Sequence, residues 1–151
     1  MGIEISKLHV RRSIFINATP ERVWQEFESF EKLKVWFGRG HKLNVYEPQL
    51  GGTVALSVDI DGESCGYRGT IIVFDEAREL TWDDNWDAAE RRWPVPTFIT
   101  IRLTSLYEGT LVELFHHGFE RLGADAAANL QGYESGWDLK HLTALRAIVE
   151  A

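Results

Sequence analysis

From Lys42 to His117 the chain is a succession of short segments closed by turn residues, and this pattern most narrows what it can fold into. Lys42 to Tyr46 is the first, closed by Pro48 and the Gly51-Gly52 pair. Thr53 to Ile60 alternates, with Val54, Leu56 and Val58 on one face and Thr53, Ala55, Ser57 and Asp59 on the other. Asp61-Gly62 is a tight-turn signal, and Tyr67 to Phe74 and Glu79 to Asp83 read as two further strands. Phe98 to Leu106 alternates strictly, with Ile99, Ile101 and Leu103 facing in. Glu108-Gly109 then turns the chain into Thr110 to His117, where Val112, Leu114 and His116 share a face. Consecutive strands joined by hairpins predict an antiparallel sheet.

Helical patterns lie at the two ends. Leu8 to Asn17 reads as a strand, and Thr19 follows as the expected N-cap, with Pro20 at the first helical position. Val23, Trp24 and Phe27, then Phe30, Leu33, Trp36 and Phe37, recur at helical spacing until Gly38 stops the pattern. Asp125 to Glu150 predicts one long helix with Asp125 as its N-cap. The order is strand, two short helices, about six strands and a long C-terminal helix, which is an α+β fold. A strongly curved sheet would wrap that helix and leave a cavity between them.

Composition bounds the rest. A chain of 151 residues is one domain by size, spanning 1–151, and long enough to bury a core without a disulfide or metal. A net charge of -7 argues against nucleic acid and anionic membranes as partners. The one cysteine, Cys65, excludes an internal disulfide framework. No apolar run approaches the ~20 residues that span a bilayer, and the first residues lack a signal-peptide pattern, so cytoplasmic residence is expected. The unusual feature is aromatic content, with six Trp, eight Phe and four Tyr.

Several side chains could carry chemistry. On a helical wheel Leu130, Tyr133, Trp137, Ala144, Leu145 and Ile148 form the apolar stripe of the last helix, and Glu134 and His141 fall within it. A carboxylate or imidazole placed there needs partners or shifts its pKa toward neutrality. Either a structural hydrogen-bonded pair or a ligand contact accounts for that position. His116 should point inward from the last strand, and His117 outward. Two histidines and a carboxylate can hold zinc or iron, but the spacing of His116, Glu134 and His141 matches no short motif, and no metal is expected. Trp82, Trp86 and Trp93 flank a charged stretch, and Asp83 to Pro96 reads as a long loop. No nucleophile elbow, phosphate loop or dinucleotide fingerprint is present, so no catalytic residue and no cofactor is assigned. The expected ligand-lining set is Trp36, Phe37, Tyr67, Trp82, His116, Glu134, Trp137 and His141.

Ile16-Asn17-Ala18-Thr19-Pro20-Glu21-Arg22-Val23-Trp24 resembles the opening of the helix-grip superfamily of START lipid-transfer domains, birch-pollen-type allergens and polyketide cyclases (SRPBCC). Trp36-Phe37-Gly38, Glu47 to Gly52, Leu80-Thr81-Trp82, Gly109 to Phe119 and Gly136-Trp137 with Leu142, Leu145 and Ile148 match its later elements in order. Gln49 stands where the family usually carries Arg. The subgroup most similar is the C-terminal domain of the activator of heat-shock-protein-90 ATPase.

The resemblance implies a helix-grip fold and a ligand cavity. Three functions compete on that scaffold. The first is binding of a hydrophobic or aromatic small molecule, the second a cyclase or hydrolase using polar cavity groups. The third is a co-chaperone domain with a protein partner and a place in the stress response. The eukaryotic-type co-chaperone carries an additional N-terminal domain for which 151 residues leave no room, which counts against the third. Neither the ligand's identity nor the oligomeric state is specified by these residues.

Overall fold

The computed structural model describes residues 9–38, 40–125 and 137–151. Seven strands form one curled antiparallel sheet: β1 (Val10–Ile16), β2 (Lys42–Tyr46), β3 (Thr53–Ile60), β4 (Glu63–Asp75), β5 (Glu79–Trp86), β6 (Thr97–Leu106) and β7 (Gly109–His117). Their spatial order is β1-β7-β6-β5-β4-β3-β2, so β2 to β7 form a meander and β1 is added beside the last strand. Two helices follow β1, α1 (Pro20–Trp24) and α2 (Phe30–Phe37), joined by a 3-10 turn at Gln25–Phe27. The helix α3 (Lys140–Val149) ends the chain. The fold is α+β, as the pattern predicts.

Local chemistry sets the helix starts. Thr19 Oγ1 accepts from the backbone N–H of Arg22 at 3.2 Å, and Ser29 Oγ does the same for Lys32 at 3.2 Å. These caps satisfy donors that the first turn leaves unpaired. Thr19→Ala should therefore cost about 1 kcal/mol, read as a lowered urea midpoint with an unchanged m-value. An unshifted midpoint would show that the cap contributes nothing.

The core is where the strand and helix patterns meet. Leu80, Trp82, Ile99, Ile101, Val112 and Leu114 from the sheet pack with Leu142 and Leu145 from α3, all at most 1% exposed. Trp24, Phe27, Leu33, Trp36 and Phe37 from the short helices join the same cluster. Trp36 donates its indole N–H to the Glu26 carbonyl at 3.1 Å, and Tyr46 donates its hydroxyl to the Phe27 carbonyl at 2.6 Å.

Two expectations need correction. The expected single helix from Asp125 to Glu150 does not run unbroken to its end, because residues 137–139 are not helical and α3 begins only at Lys140. The Asp138 carboxylate accepts from the Lys140 N–H at 2.8 Å, and the Trp137 carbonyl accepts from Arg12 Nε at 3.1 Å. Those bonds draw a backbone donor and acceptor out of the helical ladder. Asp125, expected as N-cap, instead ends a run of 3-10 turns at Phe119–Asp125. The stripe residues Leu130 and Tyr133 lie outside the described residues.

The second correction is at β5, which continues to Trp86, so the loop before β6 starts later than Asp83. Gly69 makes this extension feasible. A methyl group at Gly69 would run into the Asp83 carbonyl, so only glycine lets β4 come this close to β5. The Thr70 N–H also donates to Asp83 Oδ1 at 2.7 Å.

Candidate functional site

Inside the curl of the sheet, imidazole and aromatic rings stack where α2, α3 and the loop before β2 converge. His41 and His141 are nearly parallel, with centroids 4.8 Å apart and an interplanar angle of 13°. Phe37 stacks on His141 at 5.3 Å and meets the Trp82 ring edge-on at 5.6 Å. Trp137 stands across both histidines, 5.8 Å from His41 and 5.4 Å from His141. Tyr67 closes the row from β4, its hydroxyl 2.6 Å from His41 Nδ1.

A second polar chain runs from Trp137 into the sheet. Its indole N–H donates to His116 Nδ1 at 3.0 Å, so that nitrogen carries no proton. The proton of neutral His116 therefore sits on Nε2, which donates to Thr97 Oγ1 at 2.8 Å. Thr97 passes its own proton to the Asp84 backbone carbonyl at 3.4 Å, a long and weak contact.

Burial governs the charges. His116 is driven down to about 3 by loss of solvent, with a smaller push from His117. Burial lowers His41 to about 4, helped by neighbouring His141, and lowers His141 to about 4 as well. All three are neutral imidazoles at physiological pH. Asp84 moves the other way. It is 3% exposed, and burial followed by the nearby Asp83 and Asp87 charges raises its carboxyl well above the usual range. The Trp82 indole is close enough to favour the charged form slightly, yet it does not reach hydrogen-bonding geometry. Among the described residues, four buried polar atoms find no partner: His41 Nε2, Trp82 Nε1, Asp84 Oδ1 and His141 Nδ1. Such atoms are few in folded proteins and each calls for a cause.

The expected lining residues divide into groups. Phe37, Tyr67, Trp82, His116, Trp137 and His141 come together, linked by the contacts above. Trp36 packs between Phe27 and Phe37 with its N–H already satisfied, which places it one layer deeper in the core. Glu134 lies outside the described residues. His41 and Asp84 were missed. His41 sits in an irregular stretch with no periodicity to read. Asp84 did have a signal, since alternation from Leu80 and Trp82 continues to it.

Side-chain bonds from Asn85 and Arg92 tie the Trp-rich loop to the end of β5, where Arg92 Nε donates to the Trp86 carbonyl at 3.1 Å. Asn85 Oδ1 accepts from Trp93 N at 3.0 Å, and Asn85 Nδ2 donates to the Trp93 carbonyl at 3.1 Å. Trp86 meets Tyr67 edge-on at 5.3 Å. Among the described residues, no group of three or more His, Cys, Asp or Glu is placed to hold a metal.

The outer face of the sheet carries a separate polar row. His117 Nε2 lies 2.9 Å from Thr100 Oγ1, which lies 2.8 Å from Thr81 Oγ1. Thr81 donates to Glu79 Oε2 at 2.9 Å. A carboxylate only accepts, so each hydroxyl must donate toward Glu79, and His117 donates from Nε2. A surface depression of about 440 Å³ borders this row, with Arg102 and Phe115 in its wall.

Comparison with known proteins agrees with this architecture. A structure from Chromobacterium violaceum shares 22% identity over 95% of this chain and 97% of its own, with a TM-score of 0.68. One from Arthrobacter aurescens shares 19% identity over 99% and 90%, with a TM-score of 0.72. One from Mycobacterium smegmatis shares 17% over 99% and 95%, with a TM-score of 0.69. At these identities the likeness is one of fold. No curated protein matches the chain. The family model described as Activator of Hsp90 ATPase homolog 1-like protein matches residues 17–150. With nearly the whole chain covered in the expected order of elements, the protein belongs to that family, within the START-like helix-grip superfamily.

Proposed function

We propose that the protein binds a hydrophobic or aromatic small molecule between the sheet and the C-terminal helix. One observation carries the reading: among the described residues, four buried polar atoms lack partners beside a cluster of packed aromatic rings. Mostly apolar surroundings with a few converging polar groups are the usual form of a ligand site. Tyr67, held at His41 by a 2.6 Å contact, would serve as a polar wall group and is the observation that favours an enzymatic second reading. A phenol held by an imidazole can donate or withdraw a proton from a bound carbonyl compound. The family resemblance, which includes cyclases, supports either reading.

Native mass spectrometry of freshly purified protein tests for a co-purifying molecule. Added naphthalene-type aromatics should quench tryptophan fluorescence with saturation, because Trp82 and Trp137 border the proposed space. Linear, unsaturable quenching together with an empty mass spectrum would sink the reading. Turnover of a bound compound, followed by chromatography, would move the conclusion to the enzyme.

A further inference from the structure

Phe30, Lys34 and Gly38 stand four residues apart and form one row along α2 and its cap. The edge strand β2 packs beside that helix, exposing Lys42 and Asn44 while the alternate residue Leu43 is buried. With His41, these residues line an open cleft of about 490 Å³. We propose that this cleft is a second binding site, outside the curl of the sheet, which takes the anionic group of an aromatic acid between the Lys34 and Lys42 ammonium groups. It does not depend on the reading of the interior given above.

Charge carries the argument. The described lining of the cleft holds two lysines and no acid. Neither Lys34 nor Lys42 has an ion-pair partner among the described residues, whereas the cations around them do. Lys32, on the same helix, is 3.9 Å from Glu28. Lys140, which lies against Gly40, is 3.6 Å from Asp138. The sequence carries the same bias. From Lys32 to Tyr46 it holds four Lys or Arg and no Asp or Glu, in a chain whose net charge is -7. Like charges gathered in a concave site with apolar walls focus the local field and draw in an anion.

The walls set the rest of the ligand. Lys34 Nζ lies 5.9 Å from the centroid of the Phe30 ring, so the ammonium group sits beside an aromatic surface. Leu43, 3% exposed, adds an apolar floor. His41, kept neutral by burial, adds a ring without adding charge. A volume of this size is that of small-molecule sites. A cationic ligand would instead meet two ammonium groups and no carboxylate. Among the described residues, His41 alone belongs both to this cleft and to the ring cluster inside the sheet.

Titration calorimetry on the whole chain compares 2-naphthoate with 2-naphthamide, which share a ring system and differ in charge. At low salt the acid should bind about tenfold more tightly, roughly threefold for each exposed lysine. Raising the salt to about 0.5 M should erase the preference, because exposed charges are screened. Lys34→Gln and Lys42→Gln should each lose about threefold for 2-naphthoate and leave 2-naphthamide unchanged. Both side chains are exposed, so neither change threatens the fold. Lys32→Gln removes a charge from the same helix outside the cleft and should keep the preference. Backbone amide resonances of Gly38, Leu43 and Asn44 should shift as 2-naphthoate binds. Equal binding of the two compounds, binding of neither, or a preference that survives the double variant overturns the site. Shifts confined to the Trp82 and Trp137 indoles would put the acid inside the sheet, which overturns the cleft site and leaves the interior reading standing.

Discussion

Trp137→Ala should cost about 3–5 kcal/mol of stability, a value at the upper end for a single core truncation. Trp137 is 8% exposed and touches Phe37, His41, His116 and His141, so its loss leaves a void that four rings cannot close without moving. The indole N–H is also the donor to His116 Nδ1, a hydrogen bond that the truncation removes. Trp137→Phe separates the two contributions. It keeps much of the volume and should cost about 1–3 kcal/mol, chiefly the unmade hydrogen bond. Urea unfolding at pH 7 reads both values. A Trp137→Ala midpoint close to that of the parent would mean that Trp137 does not hold this cluster together.

Stability should also fall steeply as the pH drops from about 6.5 to about 4.5. His41, His116 and His141 have folded pKa values of about 4, 3 and 4, against 6.5 unfolded. In that window the unfolded chain takes up protons that the folded chain refuses, so unfolding is favoured as pH falls. Each group contributes about 1.4 kcal/mol per pH unit once the unfolded imidazole is charged. Asp84 opposes them. Its folded pKa is raised above 3.8, so unfolding releases a proton there, which favours the fold as pH falls. The three imidazoles alone would give at most about 4 kcal/mol per pH unit, and Asp84 reduces that slope. Asp84→Asn removes the opposing group. It should stabilise the protein at pH 7 and steepen the acid slope toward about 4 kcal/mol per unit. Urea midpoints at pH 7, 6 and 5 give the slope. A flat profile would show that the three imidazoles are charged or solvated in the folded state.

Periodicity made most of the fold legible. A half-buried strand repeats every two residues, so Ile99, Ile101 and Leu103, and then Val112, Leu114 and His116, could be placed on the inner face from spacing alone. The inner position of His116, buried to 1%, follows from its two apolar neighbours on that face. Asp84 was lost because Asp83-Asp84-Asn85 has the composition of a turn, and tertiary contacts override that composition. Close approach of β4 at Gly69, and the Asp83 bond to Thr70, carry the strand past the acids. The break before α3 was hidden for a related reason. A wheel assumes continuous helix, whereas Asp138 offers its own neighbouring backbone a competing bond. His41 is positioned by its stacking on His141 and its contact with Tyr67, neither of which leaves a local trace.

The placement of β1 beside β7 has a consequence for synthesis. Val10 pairs with His116 and Ile16 with Thr110, so the partners are roughly a hundred residues apart in the chain. β1, made before β7, must wait for it before their ladder can form. Until then Val10, Ile16 and the inward side chains of β6 and β7 lack their final cover, and the nascent chain carries an open apolar edge. The meander from β2 to β7 can zip locally, each strand onto the one before it. Closure by β1 is then the long-range step, and slowing it would lengthen the interval in which the chain is open to aggregation or to capture by a chaperone.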